Sequence, residues 1–247
     1  MSSASPAETA ADVGKARFAL PQSTYFMGLV GLFVSVMLIS NVVVTKGVVF
    51  FPGLEFALGP IQVSGIVTDG AFFLFPLAYV LGDVISEVYG FRTMRKVIAL
   101  GFVCLLLMTG VFWLTLQLPA ADFWDNQAAL ESVIGVVPQF VLAGLVGYAA
   151  GEFVNSWVLV KLKQRTGERS LWARAMGSTL AGQAFDTVAF CAIAATALGI
   201  ASFSDFLNYT VVGFIWKVSV EAIMLPVTYA VCRWLKRAEP SYGTVEA

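Results

Sequence analysis

Apolar residues run in long stretches along this chain, and polar residues cluster briefly between them. The first stretch, about Tyr25 to Val44, is long enough to cross the roughly 30 Å hydrocarbon layer of a bilayer as a helix. Asn41, Thr45 and Lys46 gather at its far end. The segment FFPGLEFALGP, Phe50 to Pro60, follows; its two prolines and two glycines break any helix. It is apolar but too short to span, so the pattern predicts a re-entrant or interfacial hairpin on the outer side. Further spans are expected at about Ser64 to Tyr89, Val97 to Leu118, Pro138 to Val160, Arg174 to Ile200 and Phe206 to Leu235. The expected fold is an all-α polytopic membrane protein of six transmembrane helices. Residues 1–22 are expected as a disordered cytoplasmic tail, 23–236 as the membrane domain and 237–247 as a second cytoplasmic tail.

Composition agrees with that pattern. The 247 residues are 58% hydrophobic and 13% charged, whereas a soluble domain is roughly a quarter charged. A membrane β-barrel would instead show alternating segments of about ten residues. The net charge of −1 hides a segregation along the chain. Lys15, Arg17, Arg92, Arg95, Lys96, Lys161, Lys163, Arg165, Arg169, Arg174, Arg233, Lys236 and Arg237 all fall on the side shared by both termini. The opposite loops carry Lys46 and the acids Glu55, Asp122, Asp125, Glu131 and Asp205. Basic residues mark the cytoplasmic side, so both termini are expected inside.

Cys104, Cys191 and Cys232 lie far apart in apolar runs, and there is no histidine, so neither a disulfide framework nor a metal site is expected. The chain has no GxxxxGK[ST] phosphate loop, no HExxH and no histidine to activate a serine. No catalytic residue, cofactor or nucleic-acid partner is expected, and the chain is read as a non-enzyme.

The candidate chemistry lies in ionisable residues inside the spans: Asp69, Asp83, Glu87, Glu152, Asp186, Lys217 and Glu221. Each costs about 2–3 kcal/mol at mid-bilayer, so each needs a partner or a task. Asp83 and Glu87 share a helical face, and a continuous second helix would put Asp69 on that face too. Glu152 and Asn155 are spaced i,i+3. Ser178, Thr179, Gln183, Asp186 and Thr187 form one polar stripe. Lys217 and Glu221, spaced i,i+4, either pair with each other, pair with acids on neighbouring helices, or meet a substrate. Glu87 has Arg92, Arg95 and Arg174 as candidate partners. Carboxylates outnumber the buried cation six to one, which suits protonated acids or a ligand rich in N–H donors or positive charge. Phe72, Phe73, Phe75, Tyr79, Phe185, Phe190 and Trp216 are available to sandwich a flat ligand. Gly147 and Gly151, extended back by Ala143, form a small-residue stripe for close helix packing, within the bundle or in a homodimer.

Two segments, FPLAYVLGDVISEVYGFRTMRK and GEFVNSWVLVKLKQRTGERSLWARAMGSTLAGQAFDTVAFCAIA, resemble the queuosine precursor transporter family, also called the putative vitamin uptake transporter family. The likeness covers about residues 25 to 235. It implies six-helix inner-membrane importers of 7-cyano-7-deazaguanine and 7-aminomethyl-7-deazaguanine, with a fold like the substrate-binding subunits of energy-coupling-factor importers. The motif positions are Asp83, Glu87, Tyr89 and Gly90, then Glu152, Asn155 and Ser156, then Arg174, Ser178, Thr179, Gln183, Asp186 and Thr187. A deazaguanine sets a ring N–H beside an exocyclic amine, and a carboxylate accepts both. Asp186 and Gln183 are therefore the first expected substrate contacts, then Asn155, Asp69, Lys217 and Thr179, with Phe72 and Phe75 as shelf. Asp83, Glu87, Arg174, Glu152 and Glu221 are expected to gate or couple. The alternative is a membrane subunit that binds a vitamin-like or nucleobase-like solute and depends on a separate ATPase module.

Overall fold

The computed structural model describes residues 17–58, 61–166 and 171–246. In chain order the elements are β1 (Arg17–Phe18), α1 (Thr24–Val43), β2 (Gly47–Leu58), β3 (Ile61–Asp69), α2 (Phe75–Tyr89), α3 (Phe91–Gln117), α4 (Gln127–Ile134), α5 (Val137–Thr166), α6 (Leu171–Ala197), α7 (Phe203–Ala238) and β4 (Val245–Glu246). The protein is mostly helical. Among the described residues five helical stretches are long and apolar enough to cross a membrane: Thr24–Val43, Phe91–Gln117, Gln127–Asn155, Gly177–Ala197 and Phe203–Ala238. The third of these runs α4 and α5 together. The chain is a polytopic membrane protein.

The expected second span is the one that changes. Residues 64–69, read as the start of that helix, belong instead to β3, which pairs antiparallel with β2 from Gly47 opposite Asp69 to Leu58 opposite Ile61. β-Branched residues and glycines favour this hairpin over a helix: Val48, Val49, Val63, Ile66, Val67 and Thr68 suit a pleated surface. The hairpin is thus longer than the Phe50–Pro60 segment expected from the sequence, and residues 59–60 at its tip lie outside the described residues. The helix begins only at Phe75, with Pro76 in its first turn, where the missing N–H costs nothing. At 15 residues α2 is about 22 Å long, short of a full crossing. Asp69 does not share a helical face with Asp83, because the chain between them is not continuously helical.

α2 is nonetheless the centre of one half of the bundle. Val84, Ile85 and Val88 are wholly buried. Val84 and Val88 pack with Val80, Cys232 and Leu235, joining α2 to α7. Ile85 and Leu81 pack with Phe33, Val36, Met94 and Val97, joining α2 to α1 and α3. The opposite face of α2 carries Asp83 and Glu87, both exposed. Gly90, at φ +85°, lets the chain turn from α2 straight into α3, a conformation strained for other residues.

The other half is the α5–α6 pair, which closes on glycine. A Cβ at Gly147 would lie 2.8 Å from Asp186 Oδ1, one at Gly151 2.8 Å from Asp186 Cβ, and one at Gly182 2.8 Å from Asn155 Cβ. The Gly147/Gly151 stripe is therefore used inside the chain, against α6, and a homodimer would have to use a different face.

At both ends the described chain packs onto the bundle. Ala19 is buried and its N–H donates to the Val88 carbonyl at 2.8 Å. β1 pairs with β4, so the two ends of the described chain meet beside the end of α2. Residues 17–22 and 239–246 belong to the folded body; residues 1–16 lie outside the described residues.

Candidate functional site

Four helices bring the polar residues of the spans together. Lys217 on α7 donates to Asp186 Oδ2 on α6 at 2.6 Å, with side chains 11% and 30% exposed. One helical turn further along each helix, Gln183 Nε2 donates to Glu221 Oε2. The i,i+4 partners Lys217 and Glu221 thus bind across to α6, as the register of two packed helices allows. Thr187 Oγ1 donates to the Gln183 carbonyl at 2.7 Å and is itself buried. Tyr79 of α2 lies within electrostatic reach of Asp186, Glu221 and Asp83. Asp83, in turn, is within reach of Glu221.

Two acceptors in this assembly stand out. Gln183 Oε1 and Asn155 Oδ1 are buried, and among the described residues no donor reaches either. A buried carbonyl without a hydrogen bond costs about 1–3 kcal/mol, so the arrangement favours a ligand that brings N–H groups. The close approach at Gly147, Gly151 and Gly182 is what holds Asp186 and Asn155 against each other's helix.

The remaining expected contacts fall elsewhere. Asp69 is 3% exposed and already spent: Tyr209 Oη donates to its Oδ2 at 2.7 Å and the Ala71 N–H to its Oδ1 at 2.9 Å. It fixes the turn from β3 into α2. Among the described residues Glu87 pairs with Lys236 of α7. Glu152 is exposed, on the side of α5 where Tyr148 and Arg95 are in reach. Thr179 is half-buried on α6. The side chains of Phe75, Arg174 and Ser156 lie outside the described residues.

Two spaces flank the cluster. Between α2 and α7, from Asp83 toward the chain ends, runs a groove of about 1240 Å³ whose lining includes Ser86, Glu87, Tyr229, Arg233 and Lys236. On the hairpin side lies an apolar hollow of about 660 Å³, lined by Phe50, Phe56, Phe72, Ile215 and Trp216 among others. Phe72 stacks directly on Trp216, ring centroids 4.0 Å apart and 12° from parallel. No third ring fits between them at that separation.

Two functional supports escaped the sequence pattern. Asn208 of α7 is buried, donates to the Gly65 carbonyl at 2.9 Å and accepts from the Val67 N–H at 3.4 Å, tying the hairpin to α7. Gly65, whose carbonyl it binds, lies where β2 and β3 slip register. The polar triplet Asn208–Tyr209–Thr210 within an apolar run was the available signal. Glu239, assigned to a tail, is 4% exposed and accepts from Tyr89 Oη at 2.8 Å, from Ser23 Oγ and, on its other oxygen, from Ser241 Oγ at 2.9 Å. Burial acts to raise its pKa, but these hydrogen bonds outweigh it and hold the carboxyl below its ordinary value.

The geometry is that of a polar site enclosed by membrane helices, and the comparisons agree in kind. A family model described as "Putative vitamin uptake transporter" matches residues 69–231. A Bacillus subtilis (strain 168) protein named "Probable queuosine precursor transporter" is 31% identical over 218 residues, 87% of this chain and 89% of the relative. An Escherichia coli (strain K12) protein named "Queuosine precursor transporter" is 27% identical over 135 residues, 55% of this chain and 58% of the relative. No solved structure matches the chain. With the site's helices α5 and α6, all of α2 and most of α7 inside the matched segment, the chain belongs to the putative vitamin uptake transporter family.

Proposed function

We propose that this chain imports queuosine precursors, 7-cyano-7-deazaguanine and 7-aminomethyl-7-deazaguanine, across a bacterial inner membrane as a secondary transporter. The observation that carries this is the pair of buried amide oxygens, Gln183 Oε1 and Asn155 Oδ1, which no donor reaches among the described residues, beside the Asp186–Lys217 ion pair. The donor-rich edge of a deazaguanine offers what these oxygens lack. The names of the Bacillus subtilis and Escherichia coli relatives support the same substrate class.

The transport path has six crossings and both ends in the cytoplasm. Support comes from the pairing of β1 with β4, since ends that meet on one side need an even number of crossings. With five long spans, the sixth crossing falls to α2 joined to the turn and hairpin before it. Such a broken crossing suits a transporter: irregular backbone at membrane depth is tolerated where it lines a cavity, and half-helices frame substrate sites. The groove between α2 and α7 is the inner exit, with Asp83 at its head and the Glu87–Lys236 pair along it.

Expression in a strain that cannot make queuosine tests the assignment. A supplied precursor restores the modified base in tRNA only when the chain is present. Restoration by no precursor, with the protein in the membrane, overturns the substrate. Uptake into liposomes holding the purified chain alone excludes dependence on an ATPase module; uptake only with such a module makes the chain a binding subunit.

A further inference from the structure

We propose that Trp216 is the shelf on which the flat ring of the substrate stacks, and that Phe72 holds that place while no substrate is bound. This rests on the assignment of a deazapurine substrate above and names the residue that recognises its face. The Phe72 and Trp216 rings lie face to face at 4.0 Å and 12°. Ordinary aromatic pairs prefer offset or edge contacts with centroids 4.5–7 Å apart, because both ring faces are negative. A heterocycle polarised by ring nitrogens and an electron-withdrawing substituent is a better face-to-face partner for indole than a phenyl ring is.

The surroundings fit an exchange of one ring for another. The indole N–H of Trp216 donates to the Phe72 carbonyl at 3.3 Å, which fixes the shelf's orientation. Phe72 itself stands in the short turn between β3 and α2, so its ring can leave without unwinding a helix. It has somewhere to go: Phe50 and Phe73 rings lie 5.2 and 5.5 Å from it, around the 660 Å³ apolar hollow. That volume is within the range of small-molecule sites. Lys217, the next residue on α7, pairs with Asp186 and is within electrostatic reach of Asp69, which precedes the turn that carries Phe72.

Binding of 7-cyano-7-deazaguanine to the full chain, purified into lipid nanodiscs, tests the exchange. Trp216→Ala lowers affinity roughly tenfold or more, the scale of base–aromatic stacking, and Trp216→Phe keeps most of it. Phe72→Ala raises affinity severalfold, because the competing ring is gone. A pair that only packs the bundle predicts the opposite sign for Phe72→Ala. Unchanged affinity in Trp216→Ala, or weakening in Phe72→Ala, overturns the shelf while wild-type binding leaves the substrate class standing. Should Trp216→Ala not insert, the sign of Phe72→Ala decides alone. Absence of binding by the wild-type chain overturns both.

Discussion

Glu239 and Asp186 are both carboxylates at helix contacts, and their surroundings differ in one respect. Around Glu239 the hydrogen bonds close: Tyr89, Ser23 and Ser241 donate to it, and the two chain ends lock over the end of α2. Around Asp186 they stay open. Lys217 holds one oxygen, Gln183 holds Glu221, and among the described residues two buried amide oxygens have no donor. A saturated network rigidifies a fold, whereas unmet buried acceptors are costly, so a ligand that brings donors is favoured. The first is a clasp and the second is the proposed site, although each is built from the same residue types.

The sharpest way to break that distinction is Asp186→Asn. It keeps the shape and removes the charge that Lys217 binds at 2.6 Å. Hydrogen bonds to charged groups contribute about 1.5–3 kcal/mol, so initial uptake rates should fall by at least roughly tenfold. Membrane level, read by immunoblot of the membrane fraction, should stay as in the wild type. Normal uptake by this variant would remove Asp186 from the site.

Asn208→Ala probes the hairpin, which stands between the two regions. It strands the Gly65 carbonyl and Val67 N–H. The expected loss is about 1–3 kcal/mol of stability, with faster amide exchange confined first to β3. Asn208→Asp, which sets a carboxylate oxygen against the Gly65 carbonyl at a 3% exposed position, should lose at least as much. Equal exchange in all three proteins would mean that α7 does not hold the hairpin.

These contrasts also explain what the sequence could reveal. Helices α1, α3, α5, α6 and α7 were legible because stretches of about twenty predominantly apolar residues have few other uses. The polar stripe Ser178 to Thr187 was legible because a membrane makes each buried polar group conspicuous. The hairpin was only half legible: its apolar content reads equally as helix, and only β-branching and Gly65 argue otherwise. Asp69 was placed on the second helix for that reason, since helical periodicity was carried across residues that form β3. The partners of Lys217 and Glu87 depend on how α6 and α2 seat against α7, which no local pattern encodes. Glu239 looked like tail because hydropathy falls after Leu235, while its burial comes from strands more than two hundred residues apart.

The smallest expected effect lies at the clasp and carries its own pH signature. Glu239→Gln should leave uptake within about twofold and lower thermal stability by about 1 kcal/mol at pH 7. The folded carboxyl is held below its ordinary value of 4.5 by its three donors. A depressed carboxylate contributes stability that is complete above the unfolded value and disappears as pH falls through the folded one. The difference in unfolding temperature between wild type and Glu239→Gln, measured in detergent, should therefore be constant at pH 6 and above. It should shrink as the solution is taken below pH 4.5. A gap that persists unchanged into acid would mean that the clasp works by shape and not by charge. A loss of uptake equal to that of Asp186→Asn would erase the division between clasp and site.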